Sequence, residues 1–201
     1  MAERLLLATR NPGKLEEYVD LFSDLPLDWS TLDEMGISEE VEENGTTFEE
    51  NAVLKSRTYA RLSGCLTIAD DSGLEVDALN GMPGVRTARF GGTSLSHKER
   101  YEYLLTKLEG IPDEQRDARF YCVIAIAKPG QLVGTAHGIC SGVIAARPQG
   151  SFGFGYDPVF FLPNLGKTMA QLTSKEKHKI SHRGQAAAQI KPILLKLLQE
   201  G

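Results

Sequence analysis

Residues 67–81, TIADDSGLEVDALNG, are the stretch from which we begin to predict the fold of the chain. Residues 67–69 are apolar or β-branched and predict a buried strand. Two adjacent carboxylates, Asp70 and Asp71, follow, and the Ser-Gly pair after them predicts a turn. Residues 73–79 alternate and predict another short strand. Two like charges at the end of an apolar strand require a counter-charge, which is a metal ion, a lysine or only water.

The rest of the chain alternates between predicted strands and predicted helices, which favours the α/β class. Pro129 and Gly130 separate two long strand-like runs and predict a hairpin. Helices interspersed with strands, together with this long hairpin, predict a mixed sheet flanked by helices. Besides the short strand at residues 73–79, the predicted strands are residues 4–9, 27–32, 65–69, 118–128 and 132–145.

The predicted helices follow from apolar residues at helical spacing and from capping residues. They cover residues 14–22, a segment from Thr46 or Thr47 to about 62, residues 96–110, and a final segment with Ala186, Ile190, Leu194 and Leu197 on one stripe. Gly64 is placed to end the second of these helices. Pro192 is expected to start or kink the last one.

Composition limits the class of protein. The chain has 201 residues, of which 41% are hydrophobic and 24% charged, as in an ordinary globular protein. No repeat or interdomain linker interrupts it, so a single domain over residues 1–201 is predicted. The formal net charge of -5 argues against general affinity for nucleic acid or an anionic membrane as partners.

The cysteines and the first residues bear on the compartment. Cys65, Cys122 and Cys140 are widely spaced in apolar runs, which predicts buried free thiols in a reducing cytoplasm. Residues 1–11 do not have the apolar core of a secretory signal. No segment approaches the roughly 20 apolar residues that a membrane-spanning helix needs. A cytoplasmic protein is therefore expected.

The first loop, ATRNPGK at residues 8–14, is a candidate phosphate site. A strand that feeds a helix through a Gly-Lys turn offers free backbone N–H groups and the charge of Lys14. It is not a Walker A loop, because Ala8 and Leu15 stand where that motif needs glycine and a hydroxyl residue. If the loop binds polyphosphate, other residues must hold the metal. The alternative is an ordinary turn with a solvent-exposed lysine.

Carboxylates elsewhere could supply that metal site. Mg²⁺ prefers one or two carboxylates, several waters and phosphate oxygens, which suits Asp70 and Asp71, with Glu42 or Glu43 as a further ligand. The alternative is a solvated acidic turn. Lys55 lies on the helix stripe that faces the core, so it either reaches into a site or extends along the surface to water.

Two later stretches suggest recognition of a base. In SFGFGYDP, residues 151–158, glycines between aromatic residues suit stacking on a nucleobase, although a bulged core turn would have the same composition. In KHKISHRG, residues 177–184, a dense cationic patch suits an anion or an electron-rich base edge, although a charged helix start would look alike. Phosphate, metal and base elements together describe a nucleoside triphosphate site.

Five motifs in this order resemble those of the inosine triphosphate pyrophosphatase family, and most closely its bacterial members. They are TRNPGK, FEENAVLKS, ADDSGLEVDAL, GFGYDP and SHRGQA, beginning at residues 9, 48, 69, 153 and 181. The resemblance implies an elongated α/β domain with a central mixed sheet and two lobes around a cleft. It also implies a homodimer that uses Mg²⁺ to hydrolyse ITP, dITP and XTP to the monophosphate and pyrophosphate, which cleanses the nucleotide pool.

The resemblance also implies roles for individual residues. Asp71, with Asp70 beside it, would be catalytic, and Glu43 and Asp71 would hold the metal. Arg10 is bulkier than the small or polar residue that the family has there. The implied substrate-binding residues are Thr9, Arg10, Asn11, Pro12, Gly13, Lys14, Lys55, Ser72, Phe154, Gly155, Tyr156, Asp157, Lys177, His182 and Arg183.

Two rival functions remain open at this point. One is a different nucleotide enzyme, such as a kinase or a triphosphatase that releases orthophosphate. The other is a non-catalytic nucleotide or RNA sensor. The missing Walker A motif counts against the kinase, and a binding module would not need paired carboxylates. The products formed separate the enzymes, and metal-dependent turnover separates an enzyme from a sensor.

Overall fold

The computed structural model describes residues 4–200, which fall into two compact units. The first unit contains the described residues as far as Asp71, then Cys122–Gly138 and the chain from Arg183 onward. The second contains Ser72–Tyr121 and Ile139–His182. Residues 1–3 and 201 of the predicted domain lie outside the described residues. The same is true of part of the stretch 1–11, which was predicted not to be a secretory signal.

The strands form one mixed sheet, as predicted. In chain order they are Arg4–Leu7 (β1), Asp28–Thr31 (β2), Leu66–Val76 (β3), Asp117–Lys128 (β4), Gln131–Ile144 (β5), Phe160–Leu162 (β6) and Lys167–Thr168 (β7). Their order in the sheet is β2-β1-β3-β4-β5-β6-β7. Strand β1 pairs parallel with β2 and β3, whereas β6 pairs antiparallel with β5 and β7. Strands β4 and β5 are the predicted hairpin strands.

The α-helices begin where the sequence supplies caps. They are Pro12–Leu21 (α1), Phe48–Ser63 (α2), His97–Lys107 (α3), Ser174–Ile180 (α4) and His182–Glu200 (α5). Thr47 and Glu50 form a capping box on α2, and Gly64 ends that helix in the left-handed conformation with φ 72°. Ser96 caps α3 in the same way. None of the helices in residues 4–200 combines the length and apolar character needed to cross a membrane.

Each unit has its own hydrophobic core. In the first unit, the predicted stripe of α5 contributes Ala186, Ile190 and Leu194, which pack with Ile68 of β3 and the stacked rings of α1. In the second unit, Phe120 of β4 packs on Phe160 of β6 with ring centroids 4.3 Å apart. Residue spacing therefore predicted the buried stripe of α5 correctly, whereas Val19, predicted on the apolar stripe of the first helix, is 48% exposed.

The predicted turn at the paired carboxylates is wrong. Strand β3 runs without interruption from Leu66 to Val76, so Asp70 and Asp71 lie in the middle of a buried strand. A turn would have exposed both charges to water. The chain does not need one, because cationic side chains from α1, α2 and α5 neutralise the two carboxylates inside the fold.

Other boundaries also differ from the prediction. Helix α1 begins at Pro12 instead of Lys14, because Asn11 caps it. Pro192 lies inside α5 and does not start it. Cys65 is free, as predicted, but only half-buried, whereas Cys122 and Cys140 are buried free thiols. The short elements β6, β7 and α4 were not predicted, since two or three residues, or two helical turns, carry too little periodicity.

Candidate active site

The predicted phosphate turn is the first turn of helix α1. The Asn11 Oδ1 atom accepts hydrogen bonds from the backbone N–H groups of Gly13, at 3.0 Å, and Lys14, at 3.2 Å. Pro12 occupies the first helical position, where its missing N–H costs nothing. Thr9 Oγ1 accepts a hydrogen bond from Asn11 N at 3.2 Å. These bonds fix the turn and leave the Lys14 side chain to extend from the start of the helix.

Arg10 turns away from this helix start. Its guanidinium donates to the backbone carbonyls of Ile37, at 2.6 Å, and Glu39, at 3.4 Å, and lies 3.9 Å from Asp33. The side chain therefore stabilises the loop after β2. Only the backbone of Arg10 remains available to a ligand at the predicted phosphate turn.

Asp70 is buried among cations. Lys14 Nζ lies 2.8 Å from Asp70 Oδ2, and Arg183 Nη2 lies 3.7 Å from the same oxygen. Burial by itself would raise the pKa of Asp70, but the charges of Lys14, Arg183 and Lys55 outweigh it and lower that pKa well below its ordinary value of 3.8. Asp70 therefore stays ionised. Within residues 4–200, its second oxygen, Oδ1, has no hydrogen-bond partner.

Arg183 lies with these carboxylates. Its Nη1 atom forms a buried ion pair with Glu17 of α1, and its guanidinium carbon lies 5.6 Å from the centroid of the Tyr18 ring. The side chain is 2% exposed. The guanidinium predicted to contact the base is thus engaged by Glu17 and Asp70, because α5 begins one residue earlier and directs Arg183 into the first unit's core.

Asp71 has a different environment from its neighbour. Asn51 Nδ2 donates to Asp71 Oδ2 at 3.0 Å, and Lys55 Nζ lies 3.7 Å from Oδ1. Lys55 also forms a close ion pair with Glu43. Burial raises the pKa of Asp71 and outweighs the opposing charges of Lys55 and Lys14. Adjacent carboxyl groups whose pKa values are shifted apart are a mark of acid–base chemistry.

The counter-charge question can now be answered. We refer to Lys14, Glu43, Lys55, Asp70 and Asp71 as the carboxylate–lysine cluster. Lysines face both aspartates, with the buried arginine as a third cation. Lys55, predicted either to enter a site or to reach water, enters this cluster and is 11% exposed.

The cluster also fits a metal ion. No group of three or more His, Cys, Asp or Glu side chains within residues 4–200 is arranged as a ready-made metal site. Nevertheless, the carboxylates of Glu43 and Asp71 already converge on one cation, Lys55 Nζ, and Asp70 Oδ1 accepts no hydrogen bond from the described residues. Oxygen donors of this kind suit a hard divalent cation. Glu43, not Glu42, has the side chain that reaches the cluster.

The second unit contains the aromatic turn, residues 152–157. Asp157 Oδ2 accepts a hydrogen bond from the Phe154 backbone N–H at 3.0 Å and lies 2.5 Å from Lys177 Nζ. Lys177 Nζ is also 5.1 Å from the centroid of the Phe154 ring. Gly153 has φ +74°, and a Cβ there would collide with the Asp157 carboxylate. The turn is thus built around a buried ion pair, with the Phe154 ring at its edge.

Tyr156 and His182 have structural contacts in the same unit. The Tyr156 hydroxyl donates to the Thr87 carbonyl at 3.0 Å, and burial raises the pKa of that hydroxyl. The His182 ring stacks on Phe120 with centroids 4.7 Å apart. Both side chains are nearly fully buried. Of the predicted aromatic base contacts, Phe154, which is only half-buried, has a ring face that a ligand can reach.

The cationic run at residues 177–184 does not form one patch. Lys177 joins the aromatic turn, His182 packs on Phe120, and Arg183 joins the first unit. A helix boundary at Ser181 separates them and sends successive side chains in different directions. Ser72, a predicted substrate contact, follows Asp71 in β3 and is half-buried.

Sequence reasoning missed two residues of the site. Glu17 and Asn51 are both buried polar side chains on helices. Glu17 pairs with Arg183, and Asn51 donates a hydrogen bond to Asp71. A signal was present in each case. Glu17 lies one turn after Lys14 on α1, and Asn51 lies one turn before Lys55 on α2, so each shares a face with a lysine already singled out.

Comparisons with known proteins identify the family of this chain. The family model described as the Ham1 family matches residues 5–193. A dITP/XTP pyrophosphatase of Yersinia pestis is 50% identical over 188 residues, which are 92% of this chain and 94% of that protein. One from Bacillus subtilis (strain 168) is 45% identical over 189 residues, 94% of this chain and 96% of that protein.

A solved structure extends the likeness to the fold. The structure of a HAM1 protein from Coxiella burnetii superposes with a TM-score of 0.87 at 40% sequence identity. The match covers 98% of this chain and 100% of that one. The family resemblance and the α/β fold predicted from the sequence are therefore confirmed, and the chain belongs to the Ham1 family.

Proposed function

We propose that this protein hydrolyses the non-standard purine nucleoside triphosphates ITP, dITP and XTP to the nucleoside monophosphate and pyrophosphate. This reaction would remove such nucleotides before they are incorporated into DNA or RNA. Its relatives named dITP/XTP pyrophosphatase support the reaction class. The observation that carries it is the pairing of two adjacent buried carboxylates with lysines: Lys14 Nζ lies 2.8 Å from Asp70, and Lys55 Nζ lies 3.7 Å from Asp71.

The first unit supplies the groups for the triphosphate. Lys14, at the positive end of the α1 dipole, is suited to phosphate oxygens. The predicted free backbone N–H groups are not found at this helix start, because Asn11 accepts hydrogen bonds from those of Gly13, Lys14 and Leu15. Lys55 would bind phosphate as well, and both lysines would exchange a carboxylate partner for a substrate oxygen. Thr9, Arg10, Asn11, Pro12 and Gly13 would contribute through the backbone and shape of the loop. Ser72, which belongs to the second unit, would contribute its hydroxyl.

Asp71 is the proposed general base. Its raised pKa suits a group that takes up a proton from the attacking water, whereas Asp70 remains charged and holds Lys14 in place. Arg183 and Glu17 keep Asp70 in position from the opposite side. The bond cleaved in this proposal joins the α- and β-phosphates, so that pyrophosphate leaves.

The metal is proposed to be Mg²⁺, held by Glu43 and Asp71. When bound, it would neutralise charge on the phosphates and on the leaving pyrophosphate. Lys55 already lies between these two carboxylates, which supports their ability to share a cation. Hard oxygen donors with solvent access favour Mg²⁺ over softer metals.

The second unit supplies the proposed base contacts. Phe154 would stack on the purine, and Lys177 and Asp157 would form polar contacts beside it. Gly155 and Tyr156 would shape this turn, and His182 would help to support it. Hypoxanthine and xanthine have an acceptor oxygen at position 6, where adenine has a donor, so a buried donor such as Lys177 would leave a mismatch with ATP. Mismatches of this kind can reject a substrate by roughly 10⁴-fold.

Product analysis tests this function. The protein is incubated with Mg²⁺ and ITP, XTP, ATP or GTP, and pyrophosphate and orthophosphate are assayed separately. We expect pyrophosphate from ITP and XTP and little product from ATP or GTP. Orthophosphate as the first product would move the cleaved bond to the γ-phosphate. A lack of turnover with any divalent metal would favour a nucleotide sensor.

We also propose a homodimer located in the cytoplasm. Three free cysteines suit a reducing compartment. Light scattering after size-exclusion chromatography measures the mass directly, which a monomer would set at 22.0 kDa. A mass of twice that value supports the dimer, and the monomer value contradicts it.

A further inference from the structure

Asn51 bonds one of the two carboxylates that are proposed to hold the metal and the loop that carries the other. Its Nδ2 atom donates to Asp71 Oδ2 at 3.0 Å, and its Oδ1 atom accepts from the backbone N–H of Gly45 at 2.8 Å. The side chain is 1% exposed. One amide group thus joins strand β3 to Gly45, which lies two residues after Glu43 in the loop before α2.

The loop is fitted closely to this amide. A Cβ added to Gly45 would lie 2.6 Å from Asn51 Oδ1 and 2.8 Å from Glu50 Cβ, both too close for real atoms. The Gly45 N–H reaches the amide only because the residue has no side chain. Just after Gly45, the backbone N–H groups of Thr46 and Thr47 donate to the Glu50 carboxylate, which fixes the start of α2.

We infer that Asn51 is a positioning residue that sets the spacing between Asp71 and Glu43. The inference rests on the proposed function, because it assigns Asn51 a role toward the metal of that same site. Asn51 donates to Oδ2 of Asp71, so Oδ1 is the oxygen directed at Lys55, the side chain that Glu43 also contacts. Its other bond restrains the loop that bears Glu43.

The geometry distinguishes this role from ordinary helix support. A residue that only stabilised α2 would bond within the helix, as Ser56 does by donating to the Val53 carbonyl at 3.0 Å. Asn51 instead makes side-chain bonds outside the helix, one to Gly45 of the preceding loop and one to Asp71 of β3. Groups that orient metal ligands in this way typically change metal affinity or activity by about 10–100-fold when they are removed.

The test compares three variants with the wild-type protein. Asn51→Ala removes both bonds, Gly45→Ala displaces only the loop end, and Ser56→Ala is a matched control that is also buried on α2. Binding of Mn²⁺ is measured by electron paramagnetic resonance in the presence of α,β-methylene-ITP, which cannot be cleaved at the proposed bond. Thermal unfolding of each variant reports its stability.

We expect Asn51→Ala to weaken Mn²⁺ binding about 10–100-fold and Gly45→Ala to weaken it by a smaller factor. Ser56→Ala should lose about as much stability as Asn51→Ala but keep the Mn²⁺ affinity of the wild type. Equal Mn²⁺ affinity in Asn51→Ala and wild type would overturn the inference, and so would equal weakening in Ser56→Ala. If Asn51→Ala does not fold, Gly45→Ala decides by the same comparison with Ser56→Ala. Wild-type protein that releases no pyrophosphate from ITP would instead overturn the proposed function.

Discussion

The carboxylate–lysine cluster and the aromatic turn are built in different ways. In the cluster, charges meet from four separate parts of the first unit, which are β3, α1, α2 and the loop before α2. In the aromatic turn, the Asp157 carboxylate bonds its own segment and one lysine 20 residues later. The cluster's ion pairs can be exchanged for those of a charged ligand. The turn is held by glycine conformations and a buried pair, and is already shaped without a ligand.

The comparison predicts that single changes in the cluster affect chemistry and stability, whereas changes in the turn affect affinity. The largest expected effect is that of Asp71→Asn. Loss of a general base typically costs about 10²–10⁴-fold in turnover. We expect kcat for pyrophosphate release from ITP to fall by a factor in this range, with KM changing much less.

Asp77→Asn is a suitable control for that experiment. Asp77 is exposed and pairs with Arg119 on the surface of the second unit. Its replacement should leave kcat unchanged. Retention of wild-type turnover by Asp71→Asn would contradict the role of this carboxylate and remove the main distinction between the cluster and the turn.

The second effect is on stability, at Asp70. Asp70→Asn removes a charge that faces Lys14 and Arg183 in the buried interior. Removing one partner of a buried ion pair costs about 3–5 kcal/mol. We expect the free energy of unfolding, measured in urea at pH 7, to fall by about this amount. Asp24→Asn, which breaks an exposed pair with Lys191, should have little effect.

The same carboxylate predicts a pH dependence. The pKa of Asp70 is lowered in the folded protein, so below pH 3.8 the unfolded chain takes up a proton that the folded chain does not. The stabilisation from Asp70 is therefore complete above this pH and is lost as the pH falls through the lower, folded-state value. Urea unfolding at a series of acid pH values should show a shallower decline for Asp70→Asn. Parallel curves for the two proteins would contradict the pairing.

A smaller effect is expected at the aromatic turn. Phe154→Ala removes the ring that is proposed to stack on the purine, and stacking of a base on an aromatic side chain is worth about 1–3 kcal/mol. We expect KM for ITP to rise about tenfold or more, with kcat little changed. Leu165→Ala, at an apolar side chain of the same unit that lies outside the turn and is 50% exposed, is the control. A fall in kcat without a change in KM would show that the turn acts in the chemical step.

The smallest effect is expected at Arg10. Its guanidinium binds the carbonyls of Ile37 and Glu39, so Arg10→Ala should loosen that loop without removing a phosphate contact. We expect KM for ITP to change by less than about twofold, since surface changes away from a site usually cost little. A tenfold rise in KM would mean that the guanidinium moves to the phosphates when substrate binds.

The site could be predicted from the sequence only in part. Lys14, Lys55, Asp70 and Asp71 were identified because charged groups stood where apolar residues or turns were expected. Glu17 and Asn51 were not, since a polar residue on a helix is normally on its exposed face. Arg183 was assigned to the base by its place in a cationic run, but the run is divided at Ser181 between two helices.

The amino-acid sequence by itself determined the α/β class, the cap at Ser96, a second cap at Thr46 or Thr47, the hairpin at Pro129 and the buried stripe of α5. These features depend on neighbours within a few residues, where backbone preference and side-chain spacing act directly. The tertiary structure alone decided that β3 runs through the paired aspartates. That outcome depends on cations brought from α1, α2 and α5, because buried charges are tolerated only when opposite charges meet them, and sequence spacing does not reveal which ones will.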